Sequence, residues 1–183
     1  MTHASLGSAW FEYGRTMLAR LQDGLRVVIR EIRPSDRALL ARSRDRFSDE
    51  SMRRRFLGPK PRLTTTELRY LTEVDGSDHY AVVAVPLDDL DAIVAVGRFV
   101  RLPDDPQTAE AAIIVADDYQ GRGLGKRIAH QLADAGRERG IRRFTAAMLG
   151  ENKAALALMR TLSDRLDSHW EDGHREVVTE LAA

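Results

Sequence analysis

Residues 109–126 read AEAAIIVADDYQGRGLGK: a nearly continuous apolar run, two aspartates, then a glycine-rich turn that leads into Leu124, Ile128, Leu132 and Ala135, spaced by three and four. The run predicts a buried strand and the spacing a helix over residues 123–139 with one apolar face. A glycine-rich turn at a helix N-terminus suits an anion, because unpaired backbone N–H groups and the positive end of the helix point at one spot. Glycine also lets the main chain approach phosphate without a Cβ in the way. Two phosphate loops are excluded by spacing. A Walker A loop needs a glycine five residues before Gly125 and a Ser or Thr after Lys126, where Gln120 and Arg127 stand. The dinucleotide fingerprint GxGxxG, started at Gly121 and Gly123, would need a glycine at Lys126.

Outward from this stretch the chain punctuates itself. Two short apolar runs, residues 16–21 and 25–32, flank Asp23-Gly24 and predict a hairpin with a two-residue turn. Pro34-Ser35-Asp36 opens a helix, Ser48-Asp49 caps an arginine-rich one that ends near Gly58, and Thr64 with Glu67 forms a capping box for a third. Strands are expected over residues 80–85, 93–100 and 143–148, a helix over 152–162, and a last hairpin through Glu171-Asp172-Gly173. Runs this apolar imply a sheet covered on both faces, so the fold class is α/β (α+β), a single mixed central sheet flanked by helices.

The 183 residues suit one domain, with residues 1–15 as an extension and residues 16–183 as the domain proper. There is no cysteine, which excludes disulfide scaffolds, thiolate metal sites and thiol nucleophiles. No run is long enough for a membrane span and the N-terminus has no signal pattern, so a cytoplasmic protein with no membrane partner is expected. Lys+Arg 28 balances Asp+Glu 28, yet residues 1–62 hold 14 basic against 7 acidic side chains and residues 63–120 hold 3 against 12. Few aromatics and no RNA or DNA motif argue against a nucleic-acid partner.

Gln120, Gly123 and Gly125 spell QxxGxG; the pattern, with Gln or Arg allowed at its first position, recurs by chance about once in seven chains of this composition. Its setting is far more specific: a buried strand before it, an amphipathic helix after it, then a strand and Asn152. In this the chain resembles the GNAT N-acetyltransferases over residues 16–181. AEAAIIVADDYQGRGLG and RRFTAAMLGENKAALALMRTL are most similar to the catalytic domain of the bacterial protein lysine acetyltransferases, as is the opening hairpin followed by IREIRPSD. The cyclic-nucleotide-binding or acyl-CoA-synthetase-like domains fused to some of those proteins have no room in 183 residues, so cyclic-nucleotide control is not expected.

The resemblance implies a GNAT fold, acetyl-CoA as co-substrate, no metal, and transfer of an acetyl group to a primary amine, in that branch a protein lysine. It makes Glu110 the general base, a role that a lone carboxylate in an apolar strand fits, since a lysine amine with an ordinary pKa of about 10.4 must lose a proton before it attacks. It implies that backbone at Ile113 and Val115 holds pantetheine, that Gln120, Gly121, Arg122, Gly123, Leu124, Gly125 and Lys126 form the pyrophosphate loop, and that Asn152 contacts pantetheine. A departure is Met159-Arg160, where many members of the superfamily carry a tyrosine that protonates the leaving thiolate. The arginines at 42, 44, 46, 53, 54 and 55 read first as a solvated basic face that would also steer an acidic substrate, and His169 and His174 as surface residues. Two alternatives stay open: a small-molecule amine acetyltransferase, and a weakly active acyl-CoA-binding regulator. Oligomeric state is unknown.

Overall fold

A computed structural model describes residues 16–181; the extension expected over residues 1–15 lies outside them. Met17–Arg20 (β1) and Arg26–Glu31 (β2) form the first hairpin. Its turn is wider than the two residues expected. Arg20 pairs with Arg26 and the Leu21 N–H donates to the Leu25 carbonyl at 2.8 Å, with only Gly24 of the turn at positive φ (+92°). A primed two-residue turn of the Asp-Gly type needs positive φ at both positions, which Asp23 does not adopt, so three residues close the loop. The last hairpin does use such a turn, with Asp172 at φ +46° and Gly173 at +82°.

A single 3-10 turn at Pro34–Asp36 leads into Arg37–Arg42 (α1); Asp49–Phe56 (α2) and Thr65–Thr72 (α3) follow. The caps are those the sequence spells: Ser48 Oγ accepts from the Ser51 N–H, and Thr64 and Glu67 bond each other's main chain reciprocally. Asp36 anchors the entry to α1, accepting two bonds of 2.7 Å from the Arg30 guanidinium and one of 2.8 Å from the Arg33 N–H.

The remaining elements are His79–Pro86 (β3), Ala95–Leu102 (β4), Asp105–Val115 (β5), Leu124–Glu138 (α4), Arg143–Met148 (β6), Lys153–Arg160 (α5), Leu166–Glu171 (β7) and His174–Glu180 (β8). The strands form one sheet in the order β1-β2-β3-β4-β5-β6-β8-β7, in which β5 and β6 are the one parallel pair. Every residue of β3 is buried, so the centre of the sheet is covered on both faces as expected, while the edge strand β7 is largely exposed. One core cluster lies under α4, with Val82, Phe99, Ile128, Leu132 and Phe144; the other, with Ala81, Val83 and Val96, lies under α1 and α3. Gly97 brings α4 close to β4: a Cβ there would stand 2.3 Å from Ile128 Cγ2. Among the described residues no helix is long and apolar enough to cross a membrane, and no three His, Asp or Glu side chains are grouped to hold a metal ion.

Candidate active site

The parallel pair is where the sheet opens. β5 and β6 are in register only from Thr108↔Arg143 to Glu110↔Thr145, and beyond that rung they diverge. Along β5 alternate backbone groups face β4, as the Ala116 N–H does when it donates to Val94 O at 2.8 Å. By that alternation the N–H and C=O of Ala111, Ile113 and Val115 point into the gap, where no strand meets them. A cleft of about 280 Å3 occupies the gap, walled by β5, β6, α4, α5 and the C-terminal end of α2. A thin, amide-bearing chain laid between the strands would find ladder partners there.

At the end of the gap stands the glycine turn. Gly121 and Gly123 have φ of +69° and +85°, and Gly123 is the N-cap of α4. The first bond back into the helix runs from the Arg127 N–H to Gly123 O at 3.2 Å, so the N–H groups of Leu124, Gly125 and Lys126 have no intrahelical acceptor. Other loop side chains are committed elsewhere. Leu124 is buried in the core, and none of residues 120–126 lines the cleft itself. Arg122, expected to lend charge to the phosphates, is ion-paired with Asp23 of the first hairpin, and the Gln22 N–H donates to Arg122 O at 3.2 Å. Gln120 donates to Val115 O at 3.0 Å and Ser51 Oγ at 3.1 Å, tying the loop to β5 and α2. Asp117 strengthens the same junction, accepting from the Ser48 N–H and from the hydroxyls of Ser48 and Ser51. Lys126 is exposed.

Glu110 sits on the last paired rung, exposed, in the cleft wall, with no hydrogen bond or ion pair to a described residue. Its side chain shares a sheet face with His79 and Val100, which lie in its cross-strand row, and with Arg98, the partner of Ala112 one row on. Arg98 and Glu110 are thus diagonal neighbours. Arg98 Nη1 donates to His79 Nε2 at 2.9 Å and Nη2 to Leu71 O at 2.9 Å. Arginine only donates, so His79 carries its proton on Nδ1 and is neutral. Burial and the Arg98 charge lower the His79 pKa to about 4, against a weaker pull from Asp75.

That shift has a definite sign. Unfolded His79 takes up a proton near pH 6.5, which the folded protein refuses until about pH 4, so stability falls as pH drops through that window, by about 3 kcal/mol in all. His79→Gln, which keeps an acceptor for Arg98, should flatten this part of the profile. Urea unfolding at pH 7.5 and 5.0 checks it, and equal pH slopes in parent and variant would remove His79 as the cause.

The far wall carries the other expected residue. Asn152 is the N-cap of α5: its Oδ1 accepts from the Ala155 N–H at 3.1 Å, which leaves Nδ2, with no acceptor among the described residues, on a side chain that lines the cleft. Met159 is buried in the same wall, and no tyrosine of the described residues lines the cleft. His174 is not the plain surface residue expected. Its Nε2 lies 3.2 Å from Glu176 Oε1, while Glu176 Oε2 accepts from Thr145 Oγ1 at 3.2 Å, beside the Glu110 rung.

Arg98 and His79 are the residues that sequence reasoning missed. Arg98 had a signal: a lone charge in the apolar run over residues 93–100, the same anomaly that singles out Glu110. His79, just ahead of its strand's apolar run, had none.

The mixed sheet is thus splayed at the parallel pair β5–β6, with a helix-capping glycine turn at the end of the splay and the Glu110 carboxylate at its start. The sequence model of the Acetyltransferase (GNAT) family matches residues 45–163, and the chain belongs to that family. It is 36% identical over 142 residues to acetyltransferase Pat of Mycolicibacterium smegmatis, a match that covers 78% of this chain and 41% of that protein. The chain thus spans less than half the length of that relative. The GNAT domain of S. lividans PAT superposes with a TM-score of 0.82 at 28% identity, covering 91% of this chain and 97% of that domain. The Salmonella typhimurium yncA protein, a putative acetyltransferase solved with its cofactor acetyl-CoA, shares the fold at a TM-score of 0.65 and 16% identity, over 85% of this chain and 94% of that one.

Proposed function

We propose that this chain is an acetyl-CoA-dependent N-acetyltransferase whose acceptor is a protein lysine. The observation that carries the reading is the placement of Glu110 at the rung where β5 and β6 part, in the wall of the cleft that fills the gap between them. The co-substrate is assigned from the fit of its parts: pantetheine amides to the open edge of β5, and pyrophosphate to the glycine turn and the start of α4. Likeness to Pat and to the S. lividans PAT domain supports the lysine acceptor.

In this reading Glu110 takes a proton from the lysine ammonium, directly or through a water. The freed nitrogen attacks the thioester carbonyl, the carbon–sulfur bond breaks and CoA thiolate leaves, while the nitrogen gives up its second proton to solvent. With Met159 where a phenol would stand, the thiolate takes its proton from solvent, which an ordinary thiol pKa near 8.5 allows. Calorimetry with acetyl-CoA, followed by thiol-release assays on lysine-bearing proteins and on small amines, tests the proposal. Saturable binding and thiol release with protein lysine are expected. Release with small amines alone would move the acceptor to that class, and absence of binding would overturn the reading.

A further inference from the structure

The face of the sheet that carries Glu110 holds positive charge that its carboxylates do not neutralise. In α2, Arg53 is paired with Glu50 at 2.8 Å and Glu151 at 2.6 Å, and Arg54 with Glu50 at 2.7 Å. The third member of that run differs. Arg55 makes no hydrogen bond or ion pair with a described residue and packs 5.0 Å from the Phe56 ring. On β4, Arg98 is 4% exposed, and its two partners, neutral His79 and a carbonyl, bring no negative charge.

Both arginines line a hollow of about 40 Å3 beneath α1, α2 and α3, together with Arg44, which is paired with Asp49 at 2.7 Å, and otherwise apolar side chains. Arg55 and Phe56 wall the main cleft too, so the hollow adjoins it across those two side chains, and Ala112, across the strands from Arg98, lies in the cleft wall. Burying an ion without a counterion costs several kcal/mol. Burial and the neighbouring Arg55 charge lower the Arg98 pKa to about 9, which leaves it protonated at neutral pH. The Glu110 charge reaches Arg55 without forming an ion pair with it, and no carboxylate acts on Arg98, so the pair of cations beside this cavity keeps one positive charge for which the described residues supply no anion.

We propose that this chamber binds a carboxylate carried by the acyl acceptor, close to the amine that Glu110 deprotonates; in a protein acceptor it is an Asp or Glu side chain flanking the lysine. The proposal rests on the acetyltransferase reading above. Glu110 and Arg98 project from the same sheet face, so amine and carboxylate belong to one molecule, while the pyrophosphate of the co-substrate has its own site at the start of α4. Size agrees. The hollow, about 40 Å3, has room for a small group such as a carboxylate. Paired guanidiniums also match a carboxylate's two oxygens.

Thiol release at saturating acetyl-CoA tests it, using peptides with lysine flanked within two residues by Asp or Glu, by Ser or Asn, or by Arg, alongside free lysine and lysine amide. The parent protein should show a KM about tenfold to a hundredfold lower for acid-flanked than for neutral peptides, the range for hydrogen bonds to charged groups. Arg55→Met should erase the preference. Arg55→Glu should reverse it toward Arg-flanked peptides, a gain that misfolding cannot produce. A preference for free lysine over its amide, with none among peptides, would keep the carboxylate site and place its source on the α-carbon. Equal KM across every pair, with normal thiol release, would overturn the chamber while leaving acetyl transfer standing. No release with any acceptor would overturn the acetyltransferase reading itself.

Discussion

Glu110→Gln is expected to bind acetyl-CoA as the parent does and to turn over on the order of 10²- to 10⁴-fold more slowly at neutral pH. Glutamine keeps the shape and the hydrogen bonds of the side chain but accepts no proton. The fold should tolerate it, because Glu110 is exposed, holds no ion pair, and contributes to β5 only its main chain. Co-substrate binding should survive because the glycine turn and the open edge of β5 are untouched. The pH profile separates a lost base from a distorted site. Parent activity should rise with pH as amine and base ionise, and the variant should recover as pH approaches about 10.4, where lysine deprotonates unaided. Near-normal turnover at pH 7 would remove Glu110 from the mechanism and turn attention to the Thr145–Glu176–His174 chain on the same face.

Much of this site was legible because it is written locally. A glycine turn between an apolar run and an amphipathic helix can be read from periodicity and spacing, and so can the caps Ser48, Thr64 and Asn152. Contacts made far along the chain were not. Arg122 reads as a phosphate ligand until the first hairpin brings Asp23 to it across 99 positions. Arg53, Arg54 and Arg55 read as one basic face; Glu50 lies within helical reach of the first two, but only tertiary structure brings Glu151 to Arg53 and sets Arg55 in the wall of the hollow. The splay itself is invisible in sequence: Ala111 and Ala112 look like any strand residues, and their distinction is that β6 departs from β5 after Thr145. Asp23-Gly24 shows the converse error, a strong local signal for a two-residue turn that the register of its strands overrode.

Gly123→Val should bring acetyl-CoA affinity down at least about 100-fold in a protein that still folds. At φ +85° and ψ 0° the residue occupies the left-handed region, which a β-branched side chain reaches only at a cost of about 1–3 kcal/mol. The damage is therefore conformational as well as steric. A Cβ on this backbone would meet Gln22 at ordinary contact distances of 3.5–3.8 Å, so the first response is a change in the turn and not a clash with the core. That turn aims the leading N–H groups of α4, and a shift there misdirects all of them together. The core residues under α4 keep their contacts, so thermal unfolding should move by a few degrees only. Asn152→Ser supplies the comparison in the same calorimetry. Serine can still cap α5 but lacks the amide donor, so it should lose about 1 kcal/mol of binding. If folded Gly123→Val bound acetyl-CoA as tightly as the parent, the glycine turn would not be the pyrophosphate site, whatever became of Asn152.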